Sequence, residues 1–165
     1  KLSKGIKQKI ALLLSLATRP DLLLLDEPSS GLDPLAWRLM LEEIHRFMQD
    51  GRKTVVIASH IMDEVRRLAD YIVFMYEGQV LGFYEKDTLL DQWKTIWLDK
   101  PLASLRQVAG VVHYELHSGK LITQNAGQTM NELEELGIPV KRVQMMELED
   151  IFMYLVSMKK AKVVN

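Results

Sequence analysis

No cysteine occurs among the 165 residues. That excludes a disulfide scaffold, a thiolate metal site and a cysteine nucleophile, and it is compatible with a reducing compartment. No charge of one sign prevails: 21 Lys and Arg face 22 Asp and Glu, for a formal net charge of -1. Such a balance provides no basic field for nucleic acid or an anionic membrane surface. Long apolar runs are missing as well. The densest, Ile10 to Ala17, falls far short of the roughly 20 residues that a membrane span needs. There is no charged-then-apolar leader with a cleavage site. Residue 1 is Lys rather than Met and helical spacing begins almost at once, so a piece of something longer is expected. The length suits one domain, or one and a small annex, with enough chain for a core.

What is present alternates between two periods. Ile6, Ile10, Leu13 and Ala17 recur at helical spacing, with Leu12 and Leu16 widening the stripe. After Arg19-Pro20-Asp21 comes the wholly apolar run Leu22 to Leu25, which reads as a strand buried on both faces of a parallel sheet. It ends in Asp26-Glu27-Pro28 and a turn of Ser29, Ser30 and Gly31. Asp33 then serves as N-cap with Pro34 at the first helical position. Trp37, Met40, Leu41, Ile44, Phe47 and Met48 share one face of that helix, which Gly51 closes. Thr54 to Ser59 is a second β-branched strand, leading to His60 and a helix with Met62, Val65, Leu68 and Ala69. Tyr71 to Tyr76 and Gln79 to Tyr84 flank Glu77-Gly78 as a hairpin. This half is an α/β layer with parallel pairing.

Beyond a short helix around Thr88 to Lys94 the texture changes, and a boundary is expected near residue 90. Lys94–Leu98 reads as a strand, Leu102–Val108 as a short helix, and Val111–His117 with Lys120–Gln124 as a hairpin. Met130–Leu136 reads as a helix and Val140–Met145 as a strand. That order, β-α-β-β-α-β, is ferredoxin-like, and a helix from Leu148 to Met158 closes it.

Two adjacent carboxylates ending an apolar strand can divide two tasks. Ligands of open parallel sheets bind at the carboxyl ends of strands. One acid can hold a hard cation directly or through water, and the other can orient or deprotonate an attacking water. Ser3 and Gly5 stand where a helix begins, and a hydroxyl with free backbone N–H groups there suits a phosphate. His60, at a strand end, can donate to a terminal phosphate from a ring nitrogen. Each feature alone has a plain structural reading: an acidic strand end, an N-cap at Ser3, another at Asp33, and a loop histidine.

Together these residues resemble the C-terminal half of an ATP-binding cassette (ABC) nucleotide-binding domain. Leu2-Ser3-Lys4-Gly5-Ile6 is similar to the family's signature motif. Leu22-Leu23-Leu24-Leu25-Asp26-Glu27-Pro28 resembles its Walker B strand with the catalytic glutamate. Ser30-Gly31-Leu32-Asp33 resembles the D-loop, and Ile57-Ala58-Ser59-His60 the switch-histidine strand. The motifs stand in the family's order, near its usual spacing, over residues 1 to about 85. Lys4 departs from the usual Gly and Ile6 from the usual Gln, which bears on the tightness of the ATP contact.

The resemblance implies a P-loop NTPase domain, here its C-terminal part over residues 1–90, followed by a small α+β ferredoxin-like extension over 91–165. It implies ATP and Mg²⁺ as cofactors and a head-to-tail dimer sandwiching two ATP molecules. Asp26 would hold Mg²⁺ through water, and Glu27 would act as general base or water-orienting residue. His60 would contact the γ-phosphate. Ser3, Lys4 and Gly5 would meet, in trans, the nucleotide held mainly by a second nucleotide-binding subunit, homo- or heterodimeric, and Asp33 would touch that partner. Further partners would be transmembrane permease subunits, with no nucleic acid. The location would be cytoplasmic, peripheral to the cell membrane, and the work the movement of a substrate across it, as an exporter. Glu147-Leu148-Glu149-Asp150-Ile151-Phe152 is similar to the helix that closes exporter-type extensions.

A loop of the form G-x-x-x-x-G-K-[ST] is needed to cradle the nucleotide's phosphates. Of nine glycines only Gly119 precedes a Lys, and Leu121 comes next. In the family the Walker A loop and Q-loop precede the signature, so the chain is expected to be truncated at its N-terminus and inactive alone. The rival reading is a non-transport ABC ATPase acting on DNA or ribosomes. The absence of coiled-coil heptads and of a basic arm stands against it. A pseudo-ATPase is disfavoured by the presence of Asp26, Glu27 and His60.

Overall fold

A computed structural model describes residues 3–49, 51–102 and 108–163. The chain forms two compact units, Lys1–Leu68 and Ala69–Asn165.

In the first unit the order is α1 (Lys4–Ala17), β1 (Leu22–Asp26), α2 (Pro34–Met48), β2 (Thr54–Ala58) and α3 (Met62–Leu68). β1 and β2 pair in parallel, from Leu22 opposite Thr54 to Asp26 opposite Ala58, with α2 as the crossover that parallel pairing demands. Helix α2 starts as its sequence dictates. The Asp33 carboxylate accepts a hydrogen bond from the Ala36 N–H at 2.9 Å, and Pro34 follows the cap. It stops where Gly51, at φ 69°, returns its N–H to the Met48 carbonyl. Its face of Met40, Leu41 and Ile44 joins Leu12, Leu23 and Leu68 in one core, with Leu16, Leu25, Trp37, Val55 and Ile57 packed around it.

Two expectations are corrected here. β1 is not buried on both faces: Leu23 is buried, whereas Leu22 and Leu24 are exposed, Leu24 by 68%. The sheet has two strands, and the core residues of α1, α2 and α3 all meet the face that carries Leu23, Leu25, Val55 and Ile57. Nothing among the described residues covers the other face. For the same reason the stripe of Ile6, Ile10 and Leu13 on α1 is exposed. The helix instead rests on the row Gln8, Leu12, Leu16, spaced by four residues and so in line along the helix.

The second unit opens with β3 (Tyr71–Tyr76) and β4 (Gln79–Glu85), an antiparallel hairpin. Glu77 and Gly78 have φ of 49° and 72°, the two positive values of a type I′ turn. Then come α4 (Lys86–Gln92), β5 (Lys94–Leu98), β6 (Val111–Glu115), β7 (Lys120–Thr123), α5 (Ala126–Glu135), β8 (Val140–Met145) and α6 (Leu148–Val163). The four later strands form an antiparallel sheet in the order β6-β7-β5-β8, the order of a ferredoxin-like βαββαβ unit. Most of the helix expected at Leu102–Val108 lies outside the described residues. α5 begins earlier than hydrophobic spacing suggests, because Asn125 caps it by accepting from the Gln128 N–H. One core holds Ile96, Leu98, Val108, Leu121 and Leu133. On α6, Tyr154 meets the rings of Trp93 and His113, and Phe152 meets Phe74 and Tyr76. This aromatic packing groups the hairpin with the second unit, although it lies before the boundary near residue 90 that composition suggests.

Candidate functional site

The parallel pairing sets the site. Asp26 and Ala58 are partners at the carboxyl ends of β1 and β2, and the ladder continues one step as the Glu27 N–H donates to the Ala58 carbonyl at 2.8 Å. Alternation leaves Asp26 exposed at the strand end, in the same phase as Leu22 and Leu24. Glu27 leaves the strand geometry altogether, at φ 46°. A non-glycine residue in that left-handed region holds about 1–3 kcal/mol of strain and persists only when its surroundings over-determine it.

The surroundings do so. The Glu27 carbonyl accepts from the Ser30 N–H at 3.0 Å and from the Gln8 side-chain amide at 2.9 Å. Its carboxylate Oε1 accepts from the His60 backbone N–H at 3.2 Å and lies 2.7 Å from His60 Nδ1. Glu27 Oε2, Gln8 Oε1 and Ser29 Oγ are buried without a hydrogen-bond partner among the described residues.

His60 is set in place by the turn that carries it. Glu64 is buried, 3% exposed, and accepts from Ser59 Oγ at 2.8 Å, while Ser59 Oγ accepts from the Ile61 N–H at 3.1 Å. The carboxylate of Glu27, by hydrogen bond and then by charge, raises the His60 imidazole above its ordinary 6.5. The sign follows from linkage: the pairing contributes stability fully below the unfolded value and loses it as pH climbs through the raised folded value. Denaturant midpoints of the parent are therefore expected to fall across that window, and His60→Asn to flatten the fall. Parallel pH profiles for the two would refute the pairing.

The remaining sequence-derived residues sit at helix starts and at the turn between them. Ser3 caps α1 by accepting from the Ile6 N–H at 3.2 Å, and Asp33 caps α2, which holds its carboxyl below the usual carboxylate range. Lys4 Nζ donates to Ser30 Oγ at 2.7 Å. Gly5 backs onto the same turn so closely that a Cβ would lie 2.9 Å from the Gly31 carbonyl oxygen. The structure thus joins Glu27 with His60, and Lys4 and Gly5 with the turn before Asp33. The hydroxyl of Ser3 and the carboxylate of Asp33 are engaged in their own helix caps.

Sequence reading missed Gln8 and Glu64. Both carried a signal, a polar residue in an apolar helical row: Gln8 one turn before Leu12, and Glu64 between Ile61 and Leu68. Chemically, one carboxylate braced by an imidazole beside a second, exposed carboxylate can orient a water with one acid and hold a hard cation with the other. The partnerless Oε2 of Glu27 and the open position of Asp26 fit such a pair of tasks.

A family model described as "AAA domain, putative AbiEii toxin, Type IV TA system" matches residues 1–65. A lantibiotic transport ATP-binding protein of Streptococcus pyogenes is 45% identical over 85 residues, covering 52% of this chain and 37% of the relative. A bacitracin transport ATP-binding protein of Bacillus licheniformis is 32% identical over 169 residues, covering 94% of this chain and 55% of the relative. A solved ATP-binding subunit of an ABC transporter superposes with a TM-score of 0.50 at 32% identity, over 55% of this chain and 38% of that one. The chain spans about half or less of the length of these relatives.

Proposed function

Since this chain is homologous to the ATP-binding subunits of ABC transporters, we propose that the whole protein hydrolyses ATP to drive a substrate across a membrane, in the direction of export. The observation that carries this reading is the Glu27 carboxylate held 2.7 Å from His60 Nδ1 at the end of a parallel strand, next to Asp26. Oε1 of Glu27 is held by His60, and the carboxylate so fixed is the group that would orient the attacking water. His60, raised in pKa by that carboxylate, donates toward the terminal phosphate. Asp26 is the residue that would hold Mg²⁺, through water, and the ion would supply neutralisation of phosphate charge. Mg²⁺ suits one or two carboxylates plus substrate phosphates rather than an all-protein cage.

Ser3, Lys4 and Gly5 would meet the nucleotide of a second nucleotide-binding subunit, and Asp33 would touch that subunit near the same site. Transmembrane permease subunits would be the other partners, with the protein on the cytoplasmic side and peripheral to the membrane. One observation supports a separate permease: the relatives are named as ATP-binding proteins of transport systems. The part of the ATPase domain present would run to about residue 90, with 91–165 as its extension.

No phosphate-cradling loop lies within the 165 residues, so the chain by itself is expected to show no ATP turnover above background. Turnover by the purified chain that Glu27→Gln abolishes would overturn that expectation. ATP-independent activity of the whole protein would overturn the transport-ATPase reading.

A further inference from the structure

Among the contacts that hold Glu27 in its left-handed backbone, one comes from a side chain outside the turn and outside β2. Gln8, in the second turn of α1, donates its amide to the Glu27 carbonyl at 2.9 Å. The Ser30 N–H reaches the same oxygen at 3.0 Å, so both lone pairs of that carbonyl are used. Gln8 stands in a row of α1 whose next members, Leu12 and Leu16, are apolar and pack on the core. An apolar side chain would suit that row equally well and would not bury Gln8 Oε1 without a partner, which is an unfavourable arrangement. What the amide adds at this position is its donor to the Glu27 carbonyl.

We propose that Gln8 is a positioning residue for the proposed base: its amide fixes the strained Glu27 peptide so that the carboxylate stays against His60. This rests on the reading of Glu27 as the group that orients water. Without the donor, the Glu27 carbonyl keeps only the Ser30 N–H, and the strained φ of 46° loses one of the contacts that hold it. The carboxylate then leaves its 2.7 Å contact with His60. The Gln8 amide is committed to the Glu27 carbonyl and is not among the residues proposed to meet nucleotide, so affinity for ATP is expected to be unchanged.

The test uses the whole protein with Gln8→Leu and Gln8→Glu, the second of similar size but without a donor. NMR titration of the His60 ring reports whether Glu27 is still in place. Both variants are expected to move the His60 midpoint down toward its ordinary 6.5, with kcat lower on the order of 10-fold to 100-fold and KM for ATP unchanged. Gln8→Arg, which restores an N–H donor, is expected to recover most of both. An unmoved His60 midpoint in either folded variant overturns the proposal, as does a fall in kcat that Gln8→Arg does not reverse. Glu27→Gln in the same protein separates the two claims. If it leaves turnover intact while Gln8→Leu still moves His60, the catalytic reading of Glu27 fails and the bracing by Gln8 stands.

Discussion

Replacing Glu27 by Gln in the whole protein is expected to reduce ATP turnover by about 10²–10⁴-fold, the usual worth of a positioned acid–base group, while ATP still binds. The substitution preserves size and removes the charge. It leaves an amide where an acceptor for the attacking water is needed, and it removes the partner that raises His60. Phosphoryl transfer depends on positioning and electrostatic stabilisation more than on covalent chemistry, so losing one orienting carboxylate is felt almost entirely in kcat. With hydrolysis blocked, the variant should accumulate as an ATP-bound dimer, visible by size-exclusion chromatography in the presence of nucleotide. Normal turnover would show that Glu27 is not the base.

A second large effect is expected far from the chemistry. Ile44 is 0% exposed and central to the cluster of Leu12, Leu23, Met40, Leu41 and Leu68. Ile44→Ala removes three carbons from a packed interior and should destabilise the first unit by about 2–5 kcal/mol. With a urea m-value of about 1–3 kcal/mol/M, the midpoint followed by tryptophan fluorescence should fall by about 0.7 M or more, even at the lower end of the expected loss. A shift under a few tenths of a molar would mean that the neighbouring side chains close the gap. The same unit carries Asp26, Glu27 and His60, so activity of the whole protein should become more temperature-sensitive in parallel.

The parts legible in the sequence are those governed by local chemistry. Asp33-Pro34 names a helix start because the N–H groups to be capped lie within three residues. Glu77-Gly78 names a hairpin because the glycine supplies positive φ at no steric cost where the turn needs it. The two strand ends that carry Glu27 and His60 could be placed from apolar runs and their polar ends, and parallel pairing followed from the intervening helix. What could not be read depended on contacts distant in sequence. Hydrophobic spacing shows that α1 has an apolar stripe, but not which side rests on the core, and the packed row proved to be Gln8, Leu12 and Leu16. An apolar run likewise cannot show how many faces are covered, and β1 has one. The left-handed backbone of Glu27 is invisible to propensity, since a glutamate ordinarily avoids it. Gln8 and Glu64 acquire their roles only when α1 and α3 are brought against the strand ends.

The close approach of Gly5 to Gly31, with Lys4 bonded to Ser30, ties the beginning of one helix to the loop that opens another. No side chain larger than hydrogen fits between the two backbones, so neither can slide over the other without breaking the contact. The two places at which a second subunit would be met are therefore joined to one another. A partner proposed to seat on Ser3 would therefore meet Asp33 across two turns that are tied together.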